Sequence, residues 1–412
     1  MRASIIIPVW NGASDLPDCL NALYAHSGNE LEEVICVDNA SEDGSATLIN
    51  RRYPDVRLVR QPVNLGFAGG VNAGIEWAQG DIFVLLNQDT VVKPGWLEAL
   101  ISAFEDHPEF GIAGCTIVNP DGTVHHAGAK ITRPGAYGEH LLDIGDSQPR
   151  KVEYVTGAAF AVRRETWDIV GQFDEGYYPV YYEESDYCYR ARNRNIETAY
   201  VPKARVVHTF TGGERVSEPI KLHANHQRSR YRFISKHFGS DTTEEFFEAE
   251  LAAIQNECYF TYAIARAIAA RDTIRGLPDI IERRRIDLDE AITPVHRRQL
   301  QAGFGEIWRK AFSSSKRLSP SAAGGLSPGD KGQGLTKDDP NTASWKRSIR
   351  RHLHAPPPGQ SASIFHRALW LLVRRPIRLL ANQVHWRRMN STLQDMYREW
   401  YVLDILTDYE YR

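Results

Sequence analysis

The first 210 residues alternate short β-rich apolar runs with segments of helical periodicity, and this alternation restricts the chain to an α/β fold. The predicted strands are Ser4–Pro8, Glu33–Val37, Val56–Arg60 and Asp81–Asn87, and the predicted helices are Asp15–Ala25, Ser45–Arg52, Gly69–Gln79 and Gly95–Glu105. Ligands of open α/β sheets bind in the crevice beyond the carboxyl ends of the strands. We therefore expect the chemistry of this protein in the polar residues that follow each strand.

The rest of the chain divides by composition. Apolar residues at helix-like intervals predict a mostly helical region after about residue 218. A later stretch is rich in Ser, Gly, Pro and Lys and poor in large apolar residues, which is typical of disorder. The sequence thus predicts an α/β domain over 1–240, a helical extension over 241–312, a disordered linker over 313–344 and a basic amphipathic helical tail over 345–412.

Charge and cysteine spacing exclude several classes of function. The formal net charge of −3 argues against a general binder of nucleic acid or another polyanion. The five cysteines lack the short spacings of a zinc ribbon or a redox motif, which predicts buried free thiols in a reducing compartment. No apolar run reaches the roughly 18 to 20 residues that span a bilayer, and the first apolar run is too short for a signal peptide. We expect a cytoplasmic protein.

Asp38 ends the apolar run Val34–Val37 at the close of the second predicted strand. An acid at a strand end, beside the start of a helix, can accept a hydrogen bond from a base or a sugar while backbone amides hold phosphate. Alternatively, this segment is only a turn, in which Asp43 and Ser45 cap the next helix. The residues by themselves leave both interpretations open.

Asn87 and Asp89 follow the most apolar of the predicted strands, Asp81–Asn87, and one residue separates them. Side chains alternate along an extended chain, so these two are expected to point the same way into the crevice. A carboxylate there can bind Mg²⁺ or Mn²⁺, hard cations that prefer oxygen ligands. Taken alone, the same spacing is also typical of a turn.

Three acids, Glu183, Glu184 and Asp186, stand within four residues after Tyr181–Tyr182. Such a cluster suits a general base, because burial raises the pKa of a carboxylate towards neutrality. The alternative is a solvated helix start, where acids interact favourably with the helix dipole. Further along, His208 leaves a predicted strand in a position to ligate a metal or contact a diphosphate, although a single histidine can equally be structural.

Together these segments resemble the family 2 glycosyltransferases of the GT-A fold, and most closely the bacterial rhamnosyltransferase-like branch. The matching segments keep the family's order over about residues 3–240. They are Ser4–Gly12, Val37–Gly44, Asn64–Gly74, Leu85–Thr90, Gly157–Arg163, Gly171–Glu175, Glu183–Asp186 and Arg228–Phe238. The resemblance implies a Rossmann-like mixed sheet flanked by helices, with a helical C-terminal extension.

The resemblance also implies which residues bind the nucleotide-sugar donor. Those expected to line the nucleotide pocket are Pro8, Asn11 and Asp38, with Asp38 facing the base or the ribose. Those expected to shape the rest of the donor site are Asn64, Gly66, Asn72 and Asn87.

Metal binding and catalysis are implied for a second set of residues. Asp89 matches the metal-binding acid of the family's D-x-D motif, and His208 matches a histidine near the metal or the diphosphate. Asn87 replaces the first Asp of that motif, so it brings a hydrogen-bonding group without charge. Glu184 matches the catalytic base but replaces the usual Asp, which leaves Asp186 as a second candidate for the base.

The resemblance implies an inverting, metal-dependent transferase that moves one sugar from a dTDP- or UDP-sugar to a saccharide or lipid-linked saccharide in cell-surface polysaccharide synthesis. Rhamnose is the sugar that the branch suggests, and the Q-x-x-R-W pattern of processive synthases is missing. A nucleotidylyltransferase is disfavoured, because no Gly-rich phosphate loop follows the first strand. A catalytically inactive, sugar-binding scaffold of a glycan assembly complex is the alternative function.

The tail is basic and amphipathic. Between Pro340 and Gln394 there are ten Lys or Arg and no Asp or Glu, and Phe365, Leu369 and Leu372 fall on one helical face. Such a helix suits an anionic membrane surface, where a lipid-linked acceptor is found. The protein would then be peripheral at the inner face of the cell membrane. Packing of the same stripe on the catalytic domain or on a partner chain is the alternative.

Overall fold

A computed structural model describes residues 1–209 and 219–317, and in these ranges the chain forms twelve strands, ten α-helices and two short 3-10 helices, Gly28–Glu30 and Glu175–Tyr177. The strands are β1 (Ala3–Val9), β2 (Leu31–Asp38), β3 (Arg57–Arg60), β4 (Ile82–Leu86), β5 (Thr90–Val92), β6 (Phe110–Val118), β7 (Val124–His126), β8 (Ala129–Ile131), β9 (Gly138–His140), β10 (Arg150–Val152), β11 (Ala159–Arg163) and β12 (Glu197–His208). The helices are α1 (Leu16–His26), α2 (Ser45–Arg52), α3 (Gly66–Ile75), α4 (Trp96–Asp106), α5 (Arg164–Val170), α6 (Glu183–Arg192), α7 (Pro219–His237), α8 (Ser240–Gln255), α9 (Phe260–Leu288) and α10 (Pro294–Arg317).

One mixed sheet carries most of these strands, in the order β10-β12-β6-β11-β4-β1-β2-β3, with β5 added to β12 and β7 added to β6. Strands β3, β2, β1 and β4 are parallel to one another, and Ile6 of β1 pairs with Ile35 on one side and Leu85 on the other. Strand β11 runs antiparallel between β4 and β6. The predicted mixed α/β sheet is therefore confirmed.

The central strands are buried along their whole length, because helices cover the sheet. Every residue of β4 is buried, as are Ile5, Ile6 and Ile7 of β1. Parallel strands covered in this way read as continuous apolar runs, which is the pattern that the sequence shows. The predicted strands and helices of the first 105 residues are confirmed to within a few residues at their ends, and α2 has the predicted bounds.

The helical C-terminal part is confirmed by α8, α9 and α10. Residues 313–317, assigned to a linker from their composition, instead continue α10. Ser314 and Ser315 are buried there, and Ser315 Oγ donates a hydrogen bond of 2.8 Å to the Phe312 carbonyl. Burial on one helical face therefore outweighs the weak helix propensity of the serines. The remainder of the predicted linker and the predicted tail lie outside the described residues.

Within the described ranges the chain forms two compact units. The first comprises residues 1–209, 225–249 and 275–301 and contains the sheet; the second comprises 219–224, 250–274 and 302–317. The second unit has a small apolar cluster of its own, made by Ala224, Phe260, Ile264, Ala265 and Ile268. All of the site residues named from the sequence belong to the first unit.

Two predictions from the sequence concern the burial of the cysteines and helices that could span a membrane. Four of the five cysteines are buried free thiols, as predicted, whereas Cys258 is exposed, because it lies in the connection between α8 and α9. The prediction of buried thiols is therefore wrong for Cys258. No helix within the described ranges combines the length and the apolar character that a membrane span requires.

Candidate active site

Asp89 and His208 meet at the carboxyl end of the central strands. Strand β5 pairs with the end of β12, which sets Thr90 opposite His208 and brings the preceding Asp89 alongside. Asp89 Oδ1 lies 3.0 Å from His208 Nε2, and Asn87 Nδ2 lies 3.5 Å from the same nitrogen. Asn87 and Asp89 thus point the same way, as the alternation of side chains predicts. Thr209 fixes the strand end by donating two hydrogen bonds of 2.9 Å to the Asp89 carbonyl.

This pair offers a ligand set that fits a divalent cation. The side chains of Asp89 and His208 are 7% and 11% exposed, so a charge placed between them would be largely shielded from water. A carboxylate oxygen and an imidazole nitrogen together suit Mn²⁺ and related first-row ions, and the carboxylate also suits Mg²⁺. Asn87 could add only a neutral amide. Two protein ligands leave the remaining coordination positions of such an ion open to a substrate.

Glu184, in the first turn of α6, belongs to the same end of the sheet. The start of β11 pairs with the end of β4, and the Asn87 backbone N–H donates a 3.1 Å hydrogen bond to the Ala158 carbonyl. The adjacent Gly157 backbone N–H lies near the Glu184 carboxyl and favours its ionised form. Glu184 and Asn87 therefore flank the two-residue segment Gly157–Ala158, which places Glu184 close to the strand end that carries Asp89.

Gly157 has to be a glycine for this arrangement to form. A Cβ atom added at Gly157 would lie 2.9 Å from Cζ of Phe67, a residue of α3. Contacts this short do not occur between real side chains, so a larger residue would displace the Phe67 ring or the amide near Glu184. The glycine lets the backbone approach both elements at once.

The electrostatic environment of Glu184 suits a proton acceptor. Burial raises the pKa of its carboxyl above the ordinary value, although its own N–H and that of Gly157 oppose the shift. Within the described residues, Glu184 Oε2 has no hydrogen-bond partner. Burial also raises the pKa of the adjacent Glu183, and the charge of Glu184 adds to this effect. Glu184 thus has a buried carboxylate oxygen without a protein partner in the described ranges, near N–H groups that favour the ionised form.

Asp186 has a different environment, although it belongs to the same acidic cluster. It has no exposed surface, and both of its oxygens are engaged: Oδ2 accepts from Arg190 Nε at 2.8 Å, and Oδ1 contacts Lys236 Nζ at 2.8 Å. His237 Nε2 and the Tyr177 hydroxyl also bind Oδ1. Burial opposes ionisation, yet Lys236 and Arg190 hold the pKa of Asp186 well below its usual range. The geometry of the cluster therefore favours Glu184 over Asp186 as the base.

The residues expected at the nucleotide pocket lie at the ends of β1 and β2 and in the loop after β1, and hydrogen bonds join the connections that follow the two strands. Asn11 donates its backbone N–H to Ser41 Oγ at 3.0 Å, and its side-chain oxygen accepts from the Glu42 N–H at 2.9 Å. Asp38 is fully buried, and its Oδ1 accepts the Ser41 N–H at 3.0 Å. Pro8 lies in β1 just before the first loop. In this structure Asn11 and Asp38 hold the connections after β1 and β2 together.

Asp43 and Ser45 make the turn that the alternative interpretation of this segment expected. Asp43 Oδ1 accepts the Ser45 N–H at 3.0 Å, and Asp43 Oδ2 accepts the Ala13 N–H at 2.8 Å. Burial disfavours the charged form, but hydrogen bonds led by the one from Ser45 leave the pKa of Asp43 below its ordinary value. The acid therefore both turns the chain into α2 and joins the two loops.

The remaining donor-site candidates organise the start of α3. Asn64 Oδ1 accepts the Gly66 N–H at 2.8 Å, which begins the helix three residues before the predicted start. Gly66 has a φ of +72°, and an added Cβ would lie 2.7 Å from the Pro179 carbonyl oxygen. Asn72 is buried, and its amide exchanges hydrogen bonds of 2.9 and 3.0 Å with the Phe173 backbone. These residues fix the start of α3 and its contact with the Phe173 backbone.

Comparisons with known proteins agree with this geometry. The sequence model of Glycosyl transferase family 2 matches residues 4–170. The chain is 30% identical over 236 residues to the N-acetylglucosaminyl-diphospho-decaprenol L-rhamnosyltransferase of Mycobacterium tuberculosis, a match that covers 50% of this chain and 76% of the relative. The protein belongs to glycosyltransferase family 2. The glycosyltransferase is also 28% identical over 229 residues to the O-antigen biosynthesis protein RfbC of Myxococcus xanthus, where the match covers 52% of this chain and 18% of the relative.

A solved structure supports the GT-A fold of the glycosyltransferase. The crystal structure of GalNAc-T7 with UDP, GalNAc and Mn²⁺ superposes with a TM-score of 0.51 and 16% identity. The superposition covers 61% of this chain and 51% of that one. At this identity the likeness concerns the fold alone, and it agrees with the predicted GT-A sheet.

Two features of the glycosyltransferase site were not anticipated from its sequence. Gln88 exchanges two hydrogen bonds with the Trp10 backbone, at 3.0 and 3.1 Å, and so ties the first loop to the strand end that carries Asp89. His126 and His140 stack edge to face with ring centroids 4.7 Å apart, and His125 lies 5.1 Å from His140. The neighbouring His125 and His126 are visible in the sequence, but nothing there indicates that β9 brings His140 close to them.

Proposed function

We propose that this glycosyltransferase moves a single sugar, with inversion at the anomeric carbon, from a nucleotide-diphosphate sugar to a hydroxyl of a saccharide or lipid-linked saccharide acceptor. The activity serves the synthesis of a cell-surface polysaccharide. The observation that carries the proposal is the shared strand end: Asn87, which contacts the same imidazole nitrogen as Asp89, and Glu184 flank the Gly157–Ala158 segment.

Asp89 and His208 are the residues that would hold the divalent cation, Mg²⁺ or Mn²⁺. A cation bound there supplies positive charge that offsets the charge developing on the leaving nucleoside diphosphate. Asn87 Nδ2, 3.5 Å from His208 Nε2, would donate a hydrogen bond to the ribose of the donor. The Mn²⁺ and UDP in the GalNAc-T7 structure support this choice of ion and donor class.

Glu184 acts as the general base. It accepts the proton of the acceptor hydroxyl while the acceptor oxygen forms a bond to the anomeric carbon of the donor sugar. The bond from that carbon to the phosphate oxygen breaks in the same step, and the nucleoside diphosphate leaves with the electron pair. Because attack comes from the face opposite the leaving group, one displacement inverts the carbon. Holding the reactants in line and stabilising the leaving charge supply most of the rate enhancement.

Rhamnose, delivered from a dTDP-sugar, is the donor that we favour. The support is the name of the Mycobacterium tuberculosis relative, which is an L-rhamnosyltransferase acting on a lipid-linked diphosphate acceptor. UDP-hexoses are the alternative. A panel of nucleotide sugars screened by thermal shift with Mn²⁺ distinguishes them, because a bound donor raises the melting temperature by mass action. A shift with UDP-hexoses and none with dTDP-rhamnose would overturn the choice of donor.

Enzymatic turnover separates the transferase from an inactive scaffold. A transferase slowly hydrolyses its own donor when no acceptor is present, and this hydrolysis should require Mn²⁺ or Mg²⁺. We expect released nucleoside diphosphate with the preferred donor and none after chelation by EDTA. Donor binding without any hydrolysis or transfer would favour the scaffold.

We also propose that residues 345–412 bind an anionic membrane surface, where a lipid-linked acceptor would be found. This segment lies outside the described residues, so its composition is the support. Flotation with anionic and with neutral liposomes compares the full chain with a truncation after Arg317, where α10 ends. We expect the full chain alone to float, and only with anionic lipid. Equal flotation of the two forms would contradict the role of the tail.

A further inference from the structure

A buried lysine joins three carboxylates in the first unit of the fold. Lys236 Nζ lies 2.9 Å from Asp174 Oδ2, 2.8 Å from Asp186 Oδ1 and 2.6 Å from Asp287 Oδ2. The carboxylate oxygens lie within 4.8 Å of one another, a spacing found in metal sites. Because the ammonium contacts all three, it takes the place that a cation would occupy. Lys236 itself has no exposed surface.

The three carboxylates come from different parts of the site. Asp174 precedes Glu175, whose Oε1 accepts a 3.0 Å hydrogen bond from Asn72 of α3 on the donor side. Asp186 lies in α6, two residues after Glu184. Asp287 lies near the end of α9. A single ammonium therefore joins the loop that supports the donor side to the helix that carries the base.

The charges of this cluster balance. Asp174 is bound by both nitrogens of the Arg232 fork at 2.9 to 3.1 Å, and Asp186 is bound by Arg190. Together with Lys236 these cations match the three buried carboxylates, and Arg232 also pairs with the exposed Asp279 at 2.8 Å. Burial lowers the pKa of His237, although Asp186 opposes the shift, so its imidazole serves as a neutral donor. Loss of the Lys236 charge would leave one buried carboxylate without compensation.

The backbone before Glu184 shows why the helix start needs to be held. Tyr181 and Tyr182 have φ angles of +84° and +72°, a region that residues with side chains rarely adopt. Two such residues in succession persist only where surrounding contacts fix the chain. The Tyr182 hydroxyl donates to the Ala136 carbonyl on one side of the turn, and the Asp186–Lys236 contact secures the other side.

We propose that Lys236 is a positioning residue of the transfer reaction. Its ammonium fixes Asp186, and so holds the first turn of α6, with Glu184, in register with the Asp174–Glu175 loop. Lys236 touches neither substrate nor base and acts through Asp186. The inference rests on the proposed role of Glu184 as the base.

The test uses the full chain and separates turnover from binding. We expect Lys236→Met to lower kcat at least about tenfold, because a displacement of roughly 1 Å can cost up to about a hundredfold in rate. The KM for the donor should change less than about threefold, because the donor contacts remain. A loss of folded protein alone would also lower the apparent kcat at unchanged KM, so kcat is expressed per folded enzyme, counted from the stoichiometry of donor binding by calorimetry. Wild-type kcat in a folded Lys236→Met variant would overturn the proposal.

A second variant covers the case in which Lys236→Met does not fold. The double variant Lys236→Met/Asp287→Asn removes one negative charge together with the ammonium, so the buried charges balance again. We expect it to fold and to keep a kcat at least about tenfold below wild type, because Asp174 and Asp186 are no longer joined. Wild-type kcat in the double variant would show that Lys236 only neutralises charge, and would overturn the proposal.

Two controls complete the design. Arg284→Met removes another buried cation, which pairs with Glu290 and donates to the Phe238 carbonyl; it should lower the melting temperature and leave kcat unchanged. Glu184→Gln is measured in the same assay. Near-full turnover in Glu184→Gln would remove the proposed base whatever Lys236 does. A strong loss in Glu184→Gln beside wild-type kcat in the double variant would defeat only the positioning role.

Discussion

Asp89 and His208 are 119 residues apart in the chain, yet Asp89 Oδ1 lies 3.0 Å from His208 Nε2. The contact forms because β5, a strand of three residues, pairs antiparallel with the last residues of β12. The pairing carries each side chain to the carboxyl end of the sheet, where Asn87 meets the same imidazole. We expect Asp89 and His208 to bind the divalent ion together.

Asp89→Asn should abolish most metal-dependent transfer. The amide keeps the size of the side chain and removes its charge. The proposed Asp89–His208 pair then no longer offers the divalent ion an anionic ligand. Because a bound cation contributes several kcal/mol and each 1.36 kcal/mol is tenfold in rate, we expect activity to fall by about a hundredfold or more. Initial rates measured over a Mn²⁺ titration check this. Asp106→Asn, at an exposed carboxylate of α4, is the control and should behave as wild type.

Glu184→Gln should reduce kcat by about a hundredfold or more, the usual worth of a general base, while the donor affinity stays near wild type. The glutamine keeps the contact to the Gly157 amide but cannot take a proton. Single-turnover rates and donor binding by calorimetry separate the two effects. Glu248→Gln, at an exposed acid of α8, is the matched control. A Glu184→Gln enzyme with near-full turnover would remove this residue from the mechanism.

The pH dependence of the wild type follows from the same residue. Burial raises the pKa of Glu184, and only its ionised form can act as a base. Activity should therefore fall as the pH decreases through this raised pKa, at a higher pH than an exposed glutamate, with a pKa of about 4.3, would give. The measurement is kcat/KM between pH 5 and 8. An acidic limb that persists unchanged in Glu184→Gln would assign the titration to another group.

Gly157→Ala should damage catalysis through the backbone. The new methyl would meet the Phe67 ring at about the 2.9 Å found for an added Cβ, so the segment has to shift. Overpacking of this kind costs about 1 to 3 kcal/mol of stability. We expect a lower free energy of unfolding by denaturant titration and a reduced kcat, because the Gly157 amide no longer supports Glu184. Gly122→Ala, at a turn with open space around it, should lower stability by less and leave kcat unchanged.

Acid should destabilise the fold through the buried cluster. Lys236 and its neighbours outweigh the effect of burial and hold the pKa values of Asp174 and Asp186 below the unfolded value of about 3.9. Stability from such groups is present above that value and is lost as the pH falls towards the folded pKa. The free energy of unfolding should decrease between pH 5 and 3. Asp186→Asn should cost about 3 to 5 kcal/mol at pH 7 and flatten this decrease, which urea denaturation at several pH values can test.

Local periodicity determined the architecture of this protein. The apolar runs and the helical segments between them fixed the strands β1, β2 and β4, and the polar residues after β4 marked where the chemistry lies. These features are encoded by neighbours in the chain, since side-chain alternation and the helical repeat depend only on nearby residues. The motifs and their order along the chain also identified the glycosyltransferase family correctly.

Only the tertiary structure distinguishes the environments of the two acids. Glu184 and Asp186 are both candidates for the base in the sequence, and they differ because α7 brings Lys236 and His237 to Asp186 while the segment before β11 brings an amide near Glu184. Strand pairing likewise decided that His208 reaches Asp89. The difference in pKa between the two acids comes from burial and from partners that are distant in the sequence, so no local pattern predicts it.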